Sequence, residues 1–268
     1  VITDEERRYL SGHGAHDYGA LLEQWRNLIE PCCLSETTLS DQGGHPVVAY
    51  QTEAYDPAAK AGVTKNVYLC AGVHGDEPAG AWGLLEWAED RGESLREVPA
   101  LIVPCLNPWG MIYNRRHDSR DRDLNRAFHE TDIPVIRAWH ELVGGAAFRI
   151  ALHLHEDYDA RGIYLYELTR PGLDAGEPAL RACEEIIPRE PRAEIDGSPF
   201  ENGLLRRADD IERVVAEELD GGYPEAIWVF LKHAHAALTF ETPSEYSLWR
   251  RVAAQRRFIE TVLEIAGA

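Results

Sequence analysis

The stretch Val67–Gly80 reads Val-Tyr-Leu-Cys-Ala-Gly-Val-His-Gly-Asp-Glu-Pro-Ala-Gly, and it sets an imidazole, His74, three positions before a carboxylate, Glu77. A nitrogen and an oxygen donor at such a spacing can face one metal ion, and the pair suits zinc. His-x-x-Glu alone is a weak pattern, and its plainer reading is a helix start facing solvent. Two further stretches add to it. In Ala151–Asp157, His153 and His155 lie two apart on an expected strand, so both project to one face. His155, nearer the strand end, is placed to be a third ligand, whereas His153 reads better as a hydrogen-bonded core residue. Glu156 and Asp157 read as outer or surface carboxylates. In Ala237–Glu245 an apolar strand delivers Glu241 into a turn, where a carboxylate can act as general base toward a metal-activated water.

A cluster of opposite charge stands between these stretches. The segment 107–128 carries Arg115, Arg116, Arg120, Arg122 and Arg126 in a chain with 27 basic and 46 acidic side chains. Guanidinium forks suit carboxylate binding and oxyanion stabilisation. Arg120 and Arg122 read as part of a solvated, salt-bridged loop, and either Arg115 or Arg116 fits the oxyanion role. His233 and His235 form another same-face pair but lack a matched carboxylate, so they read as structural or surface residues.

The elements that must hold these groups follow from the apolar pattern. Val67–Cys70 is a near-continuous apolar run, as in a strand buried on both faces. Gly72 and Gly75 permit a tight turn, Asp76 can cap a helix, and Pro78 fits its first turn, with helix expected over Ala79–Glu89. Upstream, a helix is expected over Tyr18–Ile29 after a polar start, then a hairpin of Thr37–Ser40 and Val47–Thr52. Downstream come a strand Ala100–Cys105, a turn at Asn107-Pro108, and an irregular polar loop over 110–131. Helix Pro134–Val143, strands Phe148–His155 and Gly162–Leu168, and helix Ala179–Ile187 follow. Residues 188–208 read as an irregular excursion, Asp210–Leu219 as a short helix, and Ala226–Leu231 and Ala237–Phe240 as strands. Glu245–Ile265 is the closing helix, with Ser244 as its cap. Strands alternating with helices, with no repeat or composition break, imply an α/β fold. The expectation is a single domain over 1–268 with a mixed, mostly parallel sheet flanked by helices.

Composition narrows the function classes. The 268 residues are 44% hydrophobic, enough for one large core, and carry a net charge of −19. Such acidity argues against nucleic acid and anionic membrane as partners. Five cysteines, none in Cys-x-x-Cys spacing, read as reduced, mostly buried thiols of a cytoplasmic protein. No apolar run approaches the roughly 20 residues that span a bilayer. The charged start, Asp4–Arg8, has no signal-peptide pattern, and Val1 in place of Met raises the expectation that residues were removed before it.

Taken in order, His74-x-x-Glu77, the loop from Asn107-Pro108 to Asp123-Leu124-Asn125-Arg126, the strand-end His155 and Phe240-Glu241 resemble the M14-type zinc carboxypeptidases. The resemblance extends to their deacylase relatives, succinylglutamate desuccinylase and aspartoacylase, and covers residues 67–245. It implies Zn2+ held by His74, Glu77 and His155, with Glu241 as the general base. It further implies that Arg116 polarises the scissile carbonyl, with Arg115 competing for that role, and that Asn125 and Arg126 hold the substrate's carboxylate. Tyr223 lies in a region suited to the tyrosine that closes over substrate in the peptidases. The short gap from Glu77 to His155 is as in the deacylase branch. His153 departs from the Asp-x-His of many deacylases and leaves room for a second metal. The first expectation is a metallocarboxypeptidase acting on small peptides. A deacylase of N-acyl amino acids is the alternative, and a non-catalytic metal- or peptide-binding protein a third, which Glu241 speaks against.

Overall fold

The structure is a computed structural model and describes residues 2–207 and 210–268. Val1 and Ala208, the latter closing the stretch expected to be irregular, lie outside the described residues. The chain begins with α1 (Asp4–Gly12), α2 (Tyr18–Asn27) and α3 (Ile29–Cys32), followed by a hairpin of β1 (Ser35–Asp41) and β2 (Pro46–Gln51). Next come β3 (Val67–Ala71), α4 (Pro78–Arg91), β4 (Ala100–Val103), α5 (Pro108–Tyr113), α6 (Pro134–Val143) and β5 (Phe148–Asp157). β6 (Tyr164–Thr169), α7 (Gly176–Cys183), β7 (Glu194–Ile195), β8 (Ser198–Pro199) and β9 (Leu204–Arg207) follow. The chain closes with α8 (Ile211–Glu218), α9 (Glu225–Lys232), β10 (Ala234–Pro243) and α10 (Leu248–Ala266).

Eight strands form one sheet in the order β1-β2-β4-β3-β5-β10-β6-β9. β4, β3, β5 and β10 run parallel, while β1–β2, β2–β4 and β10–β6 are antiparallel. The parallel centre is apolar because helices cover both faces. α2, α4, α7 and α10 pack on one face, and α6 and α9 on the other. From β3 the chain crosses through α4 to β4 on one side, then returns through α6 to β5 on the other. The carboxyl ends of β3 and β5 therefore meet at a switch in winding, where open α/β sheets leave a crevice. Phe240 of β10 stacks on Phe258 of α10, with centroids 4.4 Å apart, which pins the strand end that carries Glu241. Such a pair adds about 0.5–1.5 kcal/mol beyond its buried area.

Several expectations are corrected. Ala226–Leu231 is not a strand but most of α9, which buries Ala226, Val229 and Phe230 on one helical face. A six-residue apolar run fits either element, and here the 3.6-residue spacing decides. The polar start contains α1, closed by a capping box in which Thr3 and Glu6 bond each other's backbone N–H. The loop 110–131 contains most of α5, whose first N–H groups are met by Asn107, so Asn107-Pro108 starts a helix as well as ending a strand. Glu77, not Asp76, occupies the cap position of α4, with its side chain turned elsewhere. Ser247, not Ser244, precedes α10, and its hydroxyl donates to Glu6 instead of capping. The helix expected over Ala179–Ile187 lies earlier, as α7, and β6 starts two residues after Gly162. The excursion after α7 holds three short strands. The hairpin and α6 stand where the pattern put them.

All five cysteines are free, Cys33 exposed and the other four buried. Among the described residues no helix is long and apolar enough to cross a membrane.

Candidate active site

β3 ends in a turn that packs directly on α5. A Cβ on Gly75 would stand 2.0 Å from the backbone of Gly110, so only glycine lets the His74 turn approach that closely. The turn brings His74 and Glu77 beneath the end of β5. His74 Nδ1 lies 2.6 Å from Glu77 Oε1, and His155 Nδ1 lies 2.7 Å from Glu77 Oε2. All three residues are buried, and one donor atom from each falls within 4.8 Å of the others. Glu77 forgoes capping α4 because its oxygens are committed to the two imidazoles and to the Glu156 N–H, 3.1 Å away.

Asp123 was not singled out from the sequence, although it opens the Asp-Leu-Asn-Arg motif. Its Oδ1 lies 3.3 Å from His74 Nε2, and its Oδ2 accepts from Arg116 Nε at 3.1 Å. A carboxylate on Nε2 holds the proton there, so that once the Nδ1 proton shared with Glu77 is displaced its lone pair can ligate a metal. Burial lowers the His74 and His155 pKa values, but the Glu77 carboxylate and, at His74, Asp123 outweigh it, so both are raised. Glu77 is buried too, yet the two imidazoles hold it well below the usual carboxylate range. The group is an anion between two nitrogen donors whose protons a divalent cation would displace. Two imidazoles and one carboxylate, buried and convergent, with an oriented outer carboxylate, fit a zinc ion.

Glu241 pairs with His155 across β10 and β5 and with Tyr164 across β10 and β6. Residues paired in this way share a face, so the Glu241 carboxylate stands beside the cluster. Its pKa is raised, first by burial and then by the Glu77 and Asp157 carboxylates, with His155 and Arg116 opposing. Arg116 Nη1 reaches to 3.7 Å from Glu77 Oε1, whereas Arg115 is exposed and its guanidinium has no hydrogen bond or ion pair among the described residues. Of the two arginines, the fold brings only Arg116 to the cluster. Asn125 accepts the Glu225 N–H at 2.9 Å. Arg126 is exposed and donates to the Asn125 carbonyl. Tyr223 is strapped by backbone bonds to Arg126 and Phe128, and its ring packs on His129 and Trp228. Arg122 is tied to Asp118, as expected of a salt-bridged loop, while Arg120 has no ion pair among the described residues.

His153 shares the face of His155 but sits one pleat deeper, with no exposed surface. Its Nδ1 lies 3.1 Å from Glu225 Oε2, close enough for a charge contact though not aligned for a hydrogen bond. Among the described residues His74, Glu77 and His155 form the one convergent group of three metal-capable side chains, and His153 is not part of it. His233 and His235 bond the carbonyls of Ala146 and Pro171 near the amino end of β10, away from the cluster. Of the two places the sequence offers Glu156, outer carboxylate or surface, the surface is excluded. Glu156 is buried, accepts the Ala79 N–H at 2.6 Å and pairs with Arg251.

Comparison with known proteins bears on the same segment. The family model of the succinylglutamate desuccinylase/aspartoacylase catalytic domain matches residues 63–168. A curated relative, "Probable aspartoacylase" of Parasynechococcus marenigrum (strain WH8102), is 32% identical over 109 residues, 36% of this chain. That match spans 35% of the relative's length. Among solved structures, the "putative metallopeptidase" of Shewanella baltica OS155 superposes with a TM-score of 0.77 at 22% identity, covering 94% of this chain and 93% of that one. The metallo-carboxypeptidase of Burkholderia cenocepacia gives 0.64 at 12% identity, over 91% of this chain and 68% of that one. These likenesses show the fold. With the ordered motifs and the convergent His-Glu-His group, the family match makes residues 63–168 similar to the catalytic domain of succinylglutamate desuccinylases and aspartoacylases.

Proposed function

We propose that the protein is a zinc-dependent hydrolase that frees an amino acid from its N-acyl derivative. One observation carries this reading. The segment matched by the deacylase family model, 63–168, contains the whole His74–Glu77–His155 group and the loop with Arg116, Asn125 and Arg126. The carboxypeptidase expectation moves to second place, because the solved carboxypeptidases support it by fold alone.

When bound, zinc supplies a Lewis acid for the amide carbonyl and lowers the pKa of water. The chain's own residues do the rest. Glu241 takes a proton from the attacking water and returns one to the departing amine nitrogen, so an amide and water become a carboxylate and an amine. Its raised pKa suits a group that must both accept and donate, and a cation at the cluster offsets the carboxylates that raise it. Arg116 donates to the oxygen that becomes negative as the carbonyl is attacked. Asn125 and Arg126 hold the carboxylate of the amino acid, and their loop sets the distance from that carboxylate to the scissile bond. Tyr223, strapped to this loop, borders the carboxylate side.

The test is amine release by the zinc-loaded protein from a panel of N-acetyl and N-succinyl amino acids beside peptides with free carboxyl termini. Release from blocked single amino acids and none from unblocked peptides supports the deacylase. The reverse pattern would make it a carboxypeptidase. Turnover by Glu241→Gln equal to wild type would remove the mechanism.

A further inference from the structure

Below the cluster, a second polar group lies sealed inside the sheet, and the reaction described above does not use it. Glu225 is 1% exposed and His153 0%. A carboxylate in the first turn of a helix ordinarily keeps its water, and burying it is costly unless it is paired and hydrogen-bonded. Here it is held from two strands. Tyr68 of β3 donates its hydroxyl to Glu225 Oε1 at 2.5 Å, and His153 of β5 stands beside Oε2. Tyr68 is itself fixed, accepting the indole N–H of Trp139 of α6 at 2.8 Å.

The other end of Glu225 faces the substrate loop. Its main-chain N–H donates to Asn125 Oδ1, and alongside, the Tyr223 N–H donates to the Arg126 carbonyl and the Phe128 N–H to the Tyr223 carbonyl. A backbone N–H can only donate, so it engages the oxygen of the Asn125 amide and leaves the NH₂ free. That orientation matters, because a carboxylate accepts hydrogen bonds and would be repelled by the amide oxygen. Asn125 and Arg126 sit on a polar connection between α5 and α6 with one short turn of its own, so the loop needs an anchor from outside.

We infer that Glu225 is a positioning residue for the substrate's carboxylate. By tying the start of α9 to Tyr68 and His153, it fixes Asn125 with its amide N–H groups turned toward the ligand. The strands that carry the metal ligands thereby also set the register of the carboxylate site. This inference rests on the role proposed above for Asn125.

Glu225→Gln keeps the volume and the backbone N–H but removes the charge that grips β3 and β5. With an N-acetyl amino acid turned over by the wild type, its KM is expected to rise about tenfold or more, with kcat within about twofold. Zinc content is expected to stay at the wild-type level. Tyr68→Phe, which removes one anchor without touching a charge, is expected to raise KM in the same direction by less. Because Glu225 acts through Asn125, the double variant Asn125→Ala/Glu225→Gln is expected to bind no worse than Asn125→Ala alone. Additive losses, or KM and kcat worsening together with loss of zinc, would reduce Glu225 to a structural residue and overturn the inference. A second measurement does not need turnover. The Asn125 side-chain NH₂ resonances, identified by their absence in Asn125→Asp, are expected to shift and exchange faster in Glu225→Gln. Unchanged resonances overturn the inference. An inactive wild type with responsive Asn125 resonances instead overturns the deacylase reading and leaves the anchoring in place.

Discussion

His153 and His155 stand two residues apart on the same face of the same strand, yet they belong to different chemistries. His155 lies where β5 emerges at the sheet's carboxyl edge, and its Nδ1 meets Glu77 in a group convergent enough for a metal. His153, one pleat inward, stands beside the buried carboxylate of Glu225, and its Nε2 has no hydrogen-bond partner among the described residues. Residue type and face are identical, and depth along the strand is what differs. At the edge, turns from β3 and the loop after β4 deliver further polar groups. Inside, helices seal the same face.

The largest expected effect separates the two directly. His155→Ala is expected to abolish metal binding and activity, read by elemental analysis. His153→Ala is expected to keep the metal and instead lose stability, up to about 3–5 kcal/mol, because the buried Glu225 carboxylate then keeps the Tyr68 hydroxyl but loses the imidazole beside it. Loss of metal in both would erase the distinction. Next, Glu241→Gln is expected to lower kcat by about 10²–10⁴ while metal content stays constant, since Glu241 borders the edge group without belonging to it. Third, Asp123→Asn is expected to weaken metal affinity by about 10–100-fold, measured by competition with a chelator. A similar loss in Tyr68→Phe would mean that the inner group also tunes the metal.

A last effect is on the pH dependence of stability. Burial raises Glu156 to about 7, with Arg251 opposing, from an ordinary value of 4.5. The folded protein therefore holds this proton more tightly than the unfolded chain. The resulting stabilisation is complete below pH 4.5 and is lost as pH rises through about 7, an effect of roughly 3 kcal/mol. Glu156→Gln is expected to flatten the fall in thermal stability across that window, since the amide oxygen still accepts the Ala79 N–H. An unchanged slope would locate the titration elsewhere.

Much of the edge site was legible because its chemistry is written in short motifs at element ends. His74, Glu77, His155 and Glu241 each follow an apolar run, and a strand end is where an α/β sheet places polar groups. Asp123 was harder to read, since its motif suggests substrate contacts and nothing local says that its carboxylate turns back to His74. Glu225 was hidden by the misreading of α9. As part of an approach to a strand it had no reason to be buried, whereas as the first residue of a helix packed on the sheet it is driven inward.

By itself, the sequence determined the alternation of strands and helices, the apolar centre of the sheet and the identity of the metal-capable residues. These follow from periodicity and donor chemistry, which are local. Only the tertiary structure decided between Arg115 and Arg116 and between strand and helix at 226–231. Each of those choices depends on which distant group stands within about 3–4 Å, a distance that sequence spacing does not encode.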